Sequence, residues 1–236
     1  GNAICRVFNL ESEHQPVPCV AVSSEGSVAN IQRIESRKST FGLSQTDVAY
    51  AAFHGEGPFA AKGPDPKLRL LIALYPEAFT VIARADTGLQ SFPDLQGKRI
   101  GIGQSGAGYT FTRDVVLGFY GWKISDPARL RERGPAEQNQ ALCSNKVDAI
   151  IFAAAHPNGL TQEATTDCRA RLLRVAGPPV DRLIATHPYY VASVIPGGMY
   201  PGNPDDVPTI GTRAVLVASS TVSDELAYAM VKAVTV

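Results

Sequence analysis

The chain has 236 residues, enough for one large domain or two small ones, and its 44% hydrophobic and 19% charged content fits a globular protein with a sizeable core. Lys and Arg number 22 and Asp and Glu number 22, and this balance, with no basic run, argues against nucleic acid or an anionic membrane as the main partner. The longest apolar stretches, residues 68–75 and 149–155, are strand-sized and fall well short of the ~20 residues of a membrane helix.

Both ends read as cut, as in a fragment or processed chain. No Met or signal peptide opens the sequence, and Ile4, Val7 and Phe8 already have helical spacing. In chain order, residues 18–23 read as a strand, 27–36 as a helix carrying Val28, Ile31 and Ile34, 40–44 as a strand and 47–54 as a helix. Strands are predicted at 68–75, 79–84, 99–103, 149–154, 171–176 and 212–218. Helices are predicted at 109–120, 136–146, 159–167, 180–187 and 224–236, the last with Leu226, Met230 and Val234 on one face. Strands alternating with helices of this length imply an α/β fold of parallel sheets covered on both faces. Ligands of such folds sit outside the carboxyl ends of the strands. The Pro/Gly-rich segments 55–66 and 195–208 read as loops, the second long enough to cross between lobes.

Gly101-Ile102-Gly103-Gln104-Ser105-Gly106 matches G-x-G-x-x-G, with Asp126 twenty residues beyond. The motif lies mid-chain, however, and Asp126 sits in a Ser-Asp-Pro turn, so only its physics is kept: a strand, a glycine turn, and a helix whose free N–H groups favour an anion. Gly103-Gln104-Ser105-Gly106-Ala107 is also a near miss to the nucleophile elbow G-x-S-x-G, with Asp148 and His156, or Asp181 and His187, following in hydrolase order. A small α/β hydrolase using Ser105 is therefore the alternative reading. Ala107 replaces the final glycine of that motif, and no His stands out as the base.

A second helix entrance, Ser24-Glu25-Gly26-Ser27, follows the first predicted strand, and Gln45-Thr46-Asp47 forms a third. Together these helix starts point to a small anionic ligand. Glu77, between two predicted strands, could accept from a ligand's ammonium or hydroxyl. His156-Pro157-Asn158-Gly159 ends another strand, although a lone His is more often structural. The four cysteines, Cys5, Cys19, Cys143 and Cys168, form no C-x-x-C pair, and the four His are scattered, so metal spacing is absent. Three disulfide connectivities are open, of which pairing by proximity, Cys5–Cys19 and Cys143–Cys168, is the simplest. Four buried thiols are the other possibility.

The motifs in this order resemble the TAXI-type solute receptors of tripartite periplasmic (TRAP) transporters. The resemblance rests on Gly26-Ser27-Val28-Ala29-Asn30, Phe41-Gly42-Leu43-Ser44-Gln45-Thr46-Asp47, Tyr75-Pro76-Glu77-Ala78-Phe79 and Ser91-Phe92-Pro93-Asp94-Leu95-Gln96-Gly97-Lys98-Arg99. It continues through Gln140-Ala141-Leu142-Cys143, Lys146-Val147-Asp148-Ala149, His156-Pro157-Asn158, Pro188-Tyr189-Tyr190 and Ile195-Pro196-Gly197-Gly198. The family implies a two-lobed, periplasmic-binding-protein type II-like fold, each lobe a mainly parallel sheet flanked by helices. Lobe one would be residues 1–84 returning at 206–236, and lobe two 85–205.

It further implies a non-enzymatic extracytoplasmic or periplasmic receptor that captures a small organic acid or an amino acid such as glutamate in an interlobe cleft. That receptor would deliver its ligand to a TRAP-type membrane permease and need no cofactor or metal. The expected ligand-binding set is Gly26, Ser27, Gln45, Asp47, Glu77, Phe79, Ser105, Gly106, Gly108, His156 and Asn158. Export favours disulfides among all four cysteines. The resemblance also implies that the family's first strand and glycine-rich first loop are missing. Glu25 stands where the family usually has Gly, and Tyr109-Thr110 where it often has Gln or Thr followed by Arg.

Overall fold

The alternation of apolar blocks and amphipathic stretches becomes eight α-helices and eight strands among the described residues. The structure is a computed structural model that describes residues 1–11, 17–103, 106–122, 130–131 and 134–235. Two compact units emerge, one of Gly1–Leu74 with Ala214–Val236 and one of Tyr75–Arg213. The sequence reading places its boundaries at the ends of two strands, β2 (Leu68–Arg84) and β8 (Val207–Ser219); the compact units divide inside them.

In the first unit, α1 (Asn2–Glu11), α2 (Ser27–Glu35), β1 (Phe41–Gln45) and α3 (Thr46–His54) precede β2, and α8 (Asp224–Thr235) closes the chain. β1 runs antiparallel to β8, from Phe41 opposite Ala218 to Gln45 opposite Ala214. Val28, Ile31 and Ile34 recur at helical spacing and form the buried stripe of α2. Phe8 of α1 packs with Leu216 of β8 and with Met230 and Ala233 of α8.

Residues 18–23 do not form the expected strand. Alternating valines favour extended backbone, but a strand also needs a partner ladder. The N–H and C=O of Cys19 bond instead to the side chain of Asn9, at 2.7 and 2.9 Å. Val20 and Val22 are left 76% and 61% exposed.

The second unit holds the rest of β2 and β8 with β3 (Ile100–Gly101), α4 (Gly108–Phe119), β4 (Leu130–Arg131), α5 (Pro135–Cys143) and β5 (Ala149–Ala154). It continues through α6 (Gly159–Asp167), β6 (Ala170–Leu172), α7 (Pro178–Thr186) and β7 (Val191–Ile195). The expectation of a mainly parallel sheet needs correction. β3 is parallel to β4 and β5, whereas β2 is antiparallel to β5 and β6, and β7 is antiparallel to β8. Parallel neighbours need a crossover, usually helical, as with α4 and α5; β7 and β8 are joined by a Pro/Gly loop and pair head to tail.

Side chains of β5 alternate between two cores, as a period of two requires. Ala149 and Ile151 join Phe79, Val81, Val116 and Leu183 on one face, and Ile150 and Phe152 join Ala78, Leu142 and Ala164 on the other. Helices α4 and α7 thus cover one side of the sheet, and α5 and α6 the other.

One ion pair sets the register of β3 against β5. Arg99 Nη2 lies 2.6 Å from Asp148 Oδ1, while the Arg99 Nε and backbone N–H both donate to Asp148 Oδ2. The hydrogen bond from the Arg99 side chain is the main cause that holds the Asp148 carboxyl below its ordinary range.

Disulfides join Cys5 to Cys19 and Cys143 to Cys168, with Cα atoms 5.0 and 4.9 Å apart. The second ties the end of α5 to the end of α6 and brackets β5. Replacing Cys143 and Cys168 by Ser should reduce stability by ~3 kcal/mol, lowering Tm by roughly 6–12 °C. Calorimetry of oxidised protein and of the double variant checks this; equal melting temperatures would show that the crosslink does not constrain the unfolded chain.

Candidate functional site

In the first unit, β1 ends at Gln45 and the chain turns at once into α3. The N-cap of α2 is Gly26, at φ 135 and ψ −156, a conformation that only glycine adopts without strain. Ser27 Oγ accepts from the backbone N–H of Gln45 at 3.1 Å, joining the start of α2 to the start of α3. Asn30 secures the loop between them: its Nδ2 donates to Leu43 O at 2.8 Å, and its Oδ1 accepts from the Ser24 hydroxyl at 2.7 Å. Asp47 is fully buried in the first turn of α3, where its Oδ1 accepts from Val48 N–H at 2.9 Å. A carboxylate is favoured at that end of a helix. Gly26, Ser27, Gln45 and Asp47 are therefore brought together. No side chain caps α2, because glycine has none to offer.

In the second unit, strand direction does the same work. Because β3 and β5 are parallel, their carboxyl ends lie at one edge. β2 runs against β5 with Ala78 opposite Ala154, so Glu77 reaches that edge too. Glu77 sits within one continuous strand, not between two as its flanking proline implies; Pro76 is accommodated inside β2. The charge of Glu77, after burial, helps to raise the pKa of Tyr75 above its ordinary value.

Beyond β3, Gly103 and Gly106 each have positive φ, and Ala107 is the N-cap of α4, with Gly108 as its first residue. An alanine side chain has no acceptor for the first-turn N–H groups of α4. Gly103 sits at φ 77, where side chains are strained, and a Cβ there would also push aside the ring of Tyr109, 2.2 Å away. Arg113 lies buried one turn further along α4, and its Nη1 donates to Ile102 O at 2.8 Å, tying helix to turn. Gln138 of α5 is fully buried, with Nε2 3.4 Å from Tyr109 Oη and Oε1 without a hydrogen-bond partner among the described residues. Ser105, with Gln104 and Asp126, lies outside the described residues.

His156 follows β5 in a directed chain of hydrogen bonds. Thr80 Oγ1 donates to Ala78 O at 3.0 Å, so it accepts from His156 Nε2, 2.8 Å away. That tautomer leaves Nδ1 as an acceptor for the Tyr200 hydroxyl at 2.7 Å, and Tyr200 Oη in turn accepts from Asn158 N–H at 2.9 Å. Burial pushes the His156 pKa down to about 4. Asn158 Oδ1 accepts from both the N–H and the hydroxyl of Thr161, capping α6, and its Nδ2 donates to Ala155 O. His156 and Asn158 thus hold the turn from β5 into α6. Phe79 is a core side chain, 2% exposed, with its ring 6.1 Å from that of Phe92.

Four contributors escape a reading of the sequence: Thr80, Tyr200, Arg113 and Gln138. Tyr200 is 44 residues from the histidine it meets, in a Pro/Gly loop, and no local pattern joins them.

The profile of the NMT1-like family matches residues 1–235. The chain belongs to the NMT1-like family. Solved structures share the fold of this family member at low sequence identity. A TctC solute-binding protein from Polaromonas is 18% identical at a TM-score of 0.54, covering 100% of this chain and 80% of its own. The effector-binding domain of QuiR in complex with shikimate has a TM-score of 0.59 at 7% identity, covering 99% of this chain and 87% of its own. The amino acid ABC transporter substrate-binding protein AbpA from Streptococcus pneumoniae, bound to L-arginine, has a TM-score of 0.55 at 14% identity, covering 98% and 74%. The NMT1-like chain thus has the α/β fold of two-lobed periplasmic binding proteins of type II.

An imidazole buried neutral makes stability depend on pH. The unfolded chain takes up this proton near 6.5 and the folded one near 4, so the contribution of His156 is complete above pH 6.5 and declines as pH falls through 4. Titration of the imidazole by NMR should give a midpoint near pH 4. A midpoint at the ordinary value would show that the network leaves His156 to solvent.

Proposed function

We propose that this chain is an extracytoplasmic solute-binding receptor that captures a small organic acid or an amino acid such as glutamate. The observation that carries this reading is a pair of helix starts without side-chain caps, one bonded through Ser27 to the last residue of β1 and one beyond the carboxyl end of β3. Gly26 and Ala107, without side-chain acceptors, open α2 and α4, and Ser27 links α2 to the start of α3. First-turn N–H groups and the helix dipole both favour a carboxylate there. The buried, unpartnered Oε1 of Gln138 offers an acceptor beside the start of α4, suited to an ammonium or hydroxyl.

Within the family, the ordered motifs favour a TAXI-type receptor that delivers its ligand to a TRAP-type membrane permease. Binding rather than catalysis is favoured because His156, the histidine nearest the strand ends, is neutral and engaged at both ring nitrogens. Two disulfides fit an oxidising compartment outside the cytoplasm. Among the described residues, no helix is long and apolar enough to cross a membrane.

A thermal-shift screen of organic acids and amino acids, glutamate included, tests the reading. A true ligand at a hundredfold its Kd should raise Tm by roughly 5–10 °C. Ser27→Ala should weaken that ligand about tenfold and destabilise the free protein by ~1 kcal/mol, since Gln45 N–H loses its acceptor. A chain whose Tm no organic acid or amino acid moves would sink the proposal.

A further inference from the structure

The first unit has a polar recess lined by residues other than Ser27 and Gln45. It is a solvent-open pocket of about 310 Å³, walled by the end of α2, the loop at 62–67 and the end of β8. Three cations line it, Arg37, Lys62 and Lys67, against two carboxylates, Glu35 and Asp65. Both carboxylates are engaged locally. Glu35 Oε2 pairs with Lys62 Nζ at 2.5 Å, and Asp65 Oδ1 accepts from the backbone N–H of Lys67 at 3.0 Å. Arg37 and Lys67 have no carboxylate within ion-pair distance among the described residues. Beside them, Ser219 Oγ accepts from the hydroxyl of Thr221 at 3.0 Å, leaving its own hydrogen to donate into the pocket.

Arg37 is placed by the end of α2. It follows the C-cap of α2 at φ 58, the left-handed conformation that glycine or asparagine fills at helix ends and that other L-residues adopt at a penalty. The negative end of the α2 dipole already has Arg33 in its last turn, so dipole neutralisation does not require an arginine at 37. Asn145 after α5 and Arg169 after α6 take the same conformation, so this is the ordinary left-handed end of a helix, and at α2 it sets Arg37 at the pocket wall.

We infer that this pocket is a second binding site, for an anion of phosphate chemistry, independent of the strand-end residues proposed to hold the solute. Arg37, Lys67 and Ser219 belong to three different segments, and a tetrahedral anion accepts from several donors at once. A lone carboxylate would be saturated by the guanidinium fork alone.

The full chain is titrated calorimetrically at low salt with inorganic phosphate and, separately, with glycerol 3-phosphate. Saturable one-to-one binding is expected, with amide shifts at Gly63 and Thr221 in NMR spectra of the same samples. Tighter binding of glycerol 3-phosphate assigns the site to phosphate esters, and the reverse order to free phosphate. Arg37→Gly and Lys67→Gln should each weaken binding about tenfold. Arg37→Gly should leave Tm unchanged or higher, because glycine takes the left-handed conformation freely, which separates loss of the cation from loss of the fold. No saturable binding of either probe up to about 10 mM, or equal affinity in both variants and the parent, overturns the proposal. Neither result touches the solute screen, which reads different residues.

Discussion

Asp148 accepts from the guanidinium of Arg99 and from the backbone N–H of the same residue, and that bond set starts β3 and β5 side by side in parallel. The constraint reaches far beyond the pair. Once the two strands begin level, their carboxyl ends finish at one edge, and the helix starts of α4 and α6 follow there. β2, running the other way against β5, then brings Glu77 to that edge from a different stretch of chain. Asn145 adds its own carbonyl and side-chain oxygen to the Arg99 guanidinium, so every group that anchors the register is hydrogen-bonded. A buried sheet with fully satisfied anchors tolerates little slippage.

The strand-end residues divide by what their polar atoms have left to offer. His156 and Asn158 are consumed by the turn they build, and Phe79 by the core. At the starts of α2 and α4 no side chain caps the helix, while Thr110 spends its N–H and hydroxyl on Ala107 O. His156 and Asn158 thus spend their polar atoms on rigidity. The main-chain N–H groups proposed to meet a ligand have little rotamer freedom to lose on binding.

Much of this was legible in the sequence, and the reasons for the failures are physical. Helix positions were clear wherever an apolar stripe had a period near 3.6, as at Val28, Ile31 and Ile34. Strand positions were clear where β-branched runs were buried, as at residues 149–154. Position 76 misled because proline usually ends a strand, whereas here both flanking stretches remain extended in one element. Residues 18–23 misled because propensity describes one chain and pairing needs two. The starts of α3 and α4 were visible as small or polar residues after strands, and that of α2 as Ser24-Glu25-Gly26-Ser27, although the described residues before it form no strand. Thr80, Tyr200 and Gln138 were not, because their partners are fixed by tertiary packing between distant segments.

The Cys5–Cys19 crosslink and the Asn9 clasp have one more consequence. They hold a stretch with Val17, Val20 and Val22, all more than 60% exposed, as irregular chain close to α1. Such a run, rich in β-branched residues and poor in charge, is the kind of segment that adds itself to a neighbouring strand. While the crosslink stands, its backbone is partly occupied and its reach is short. Reduction would lengthen that reach and free those valines, turning the same residues into a seed for aggregation. Oxidation therefore guards the solubility of this protein at its amino-terminal end as much as it guards the fold.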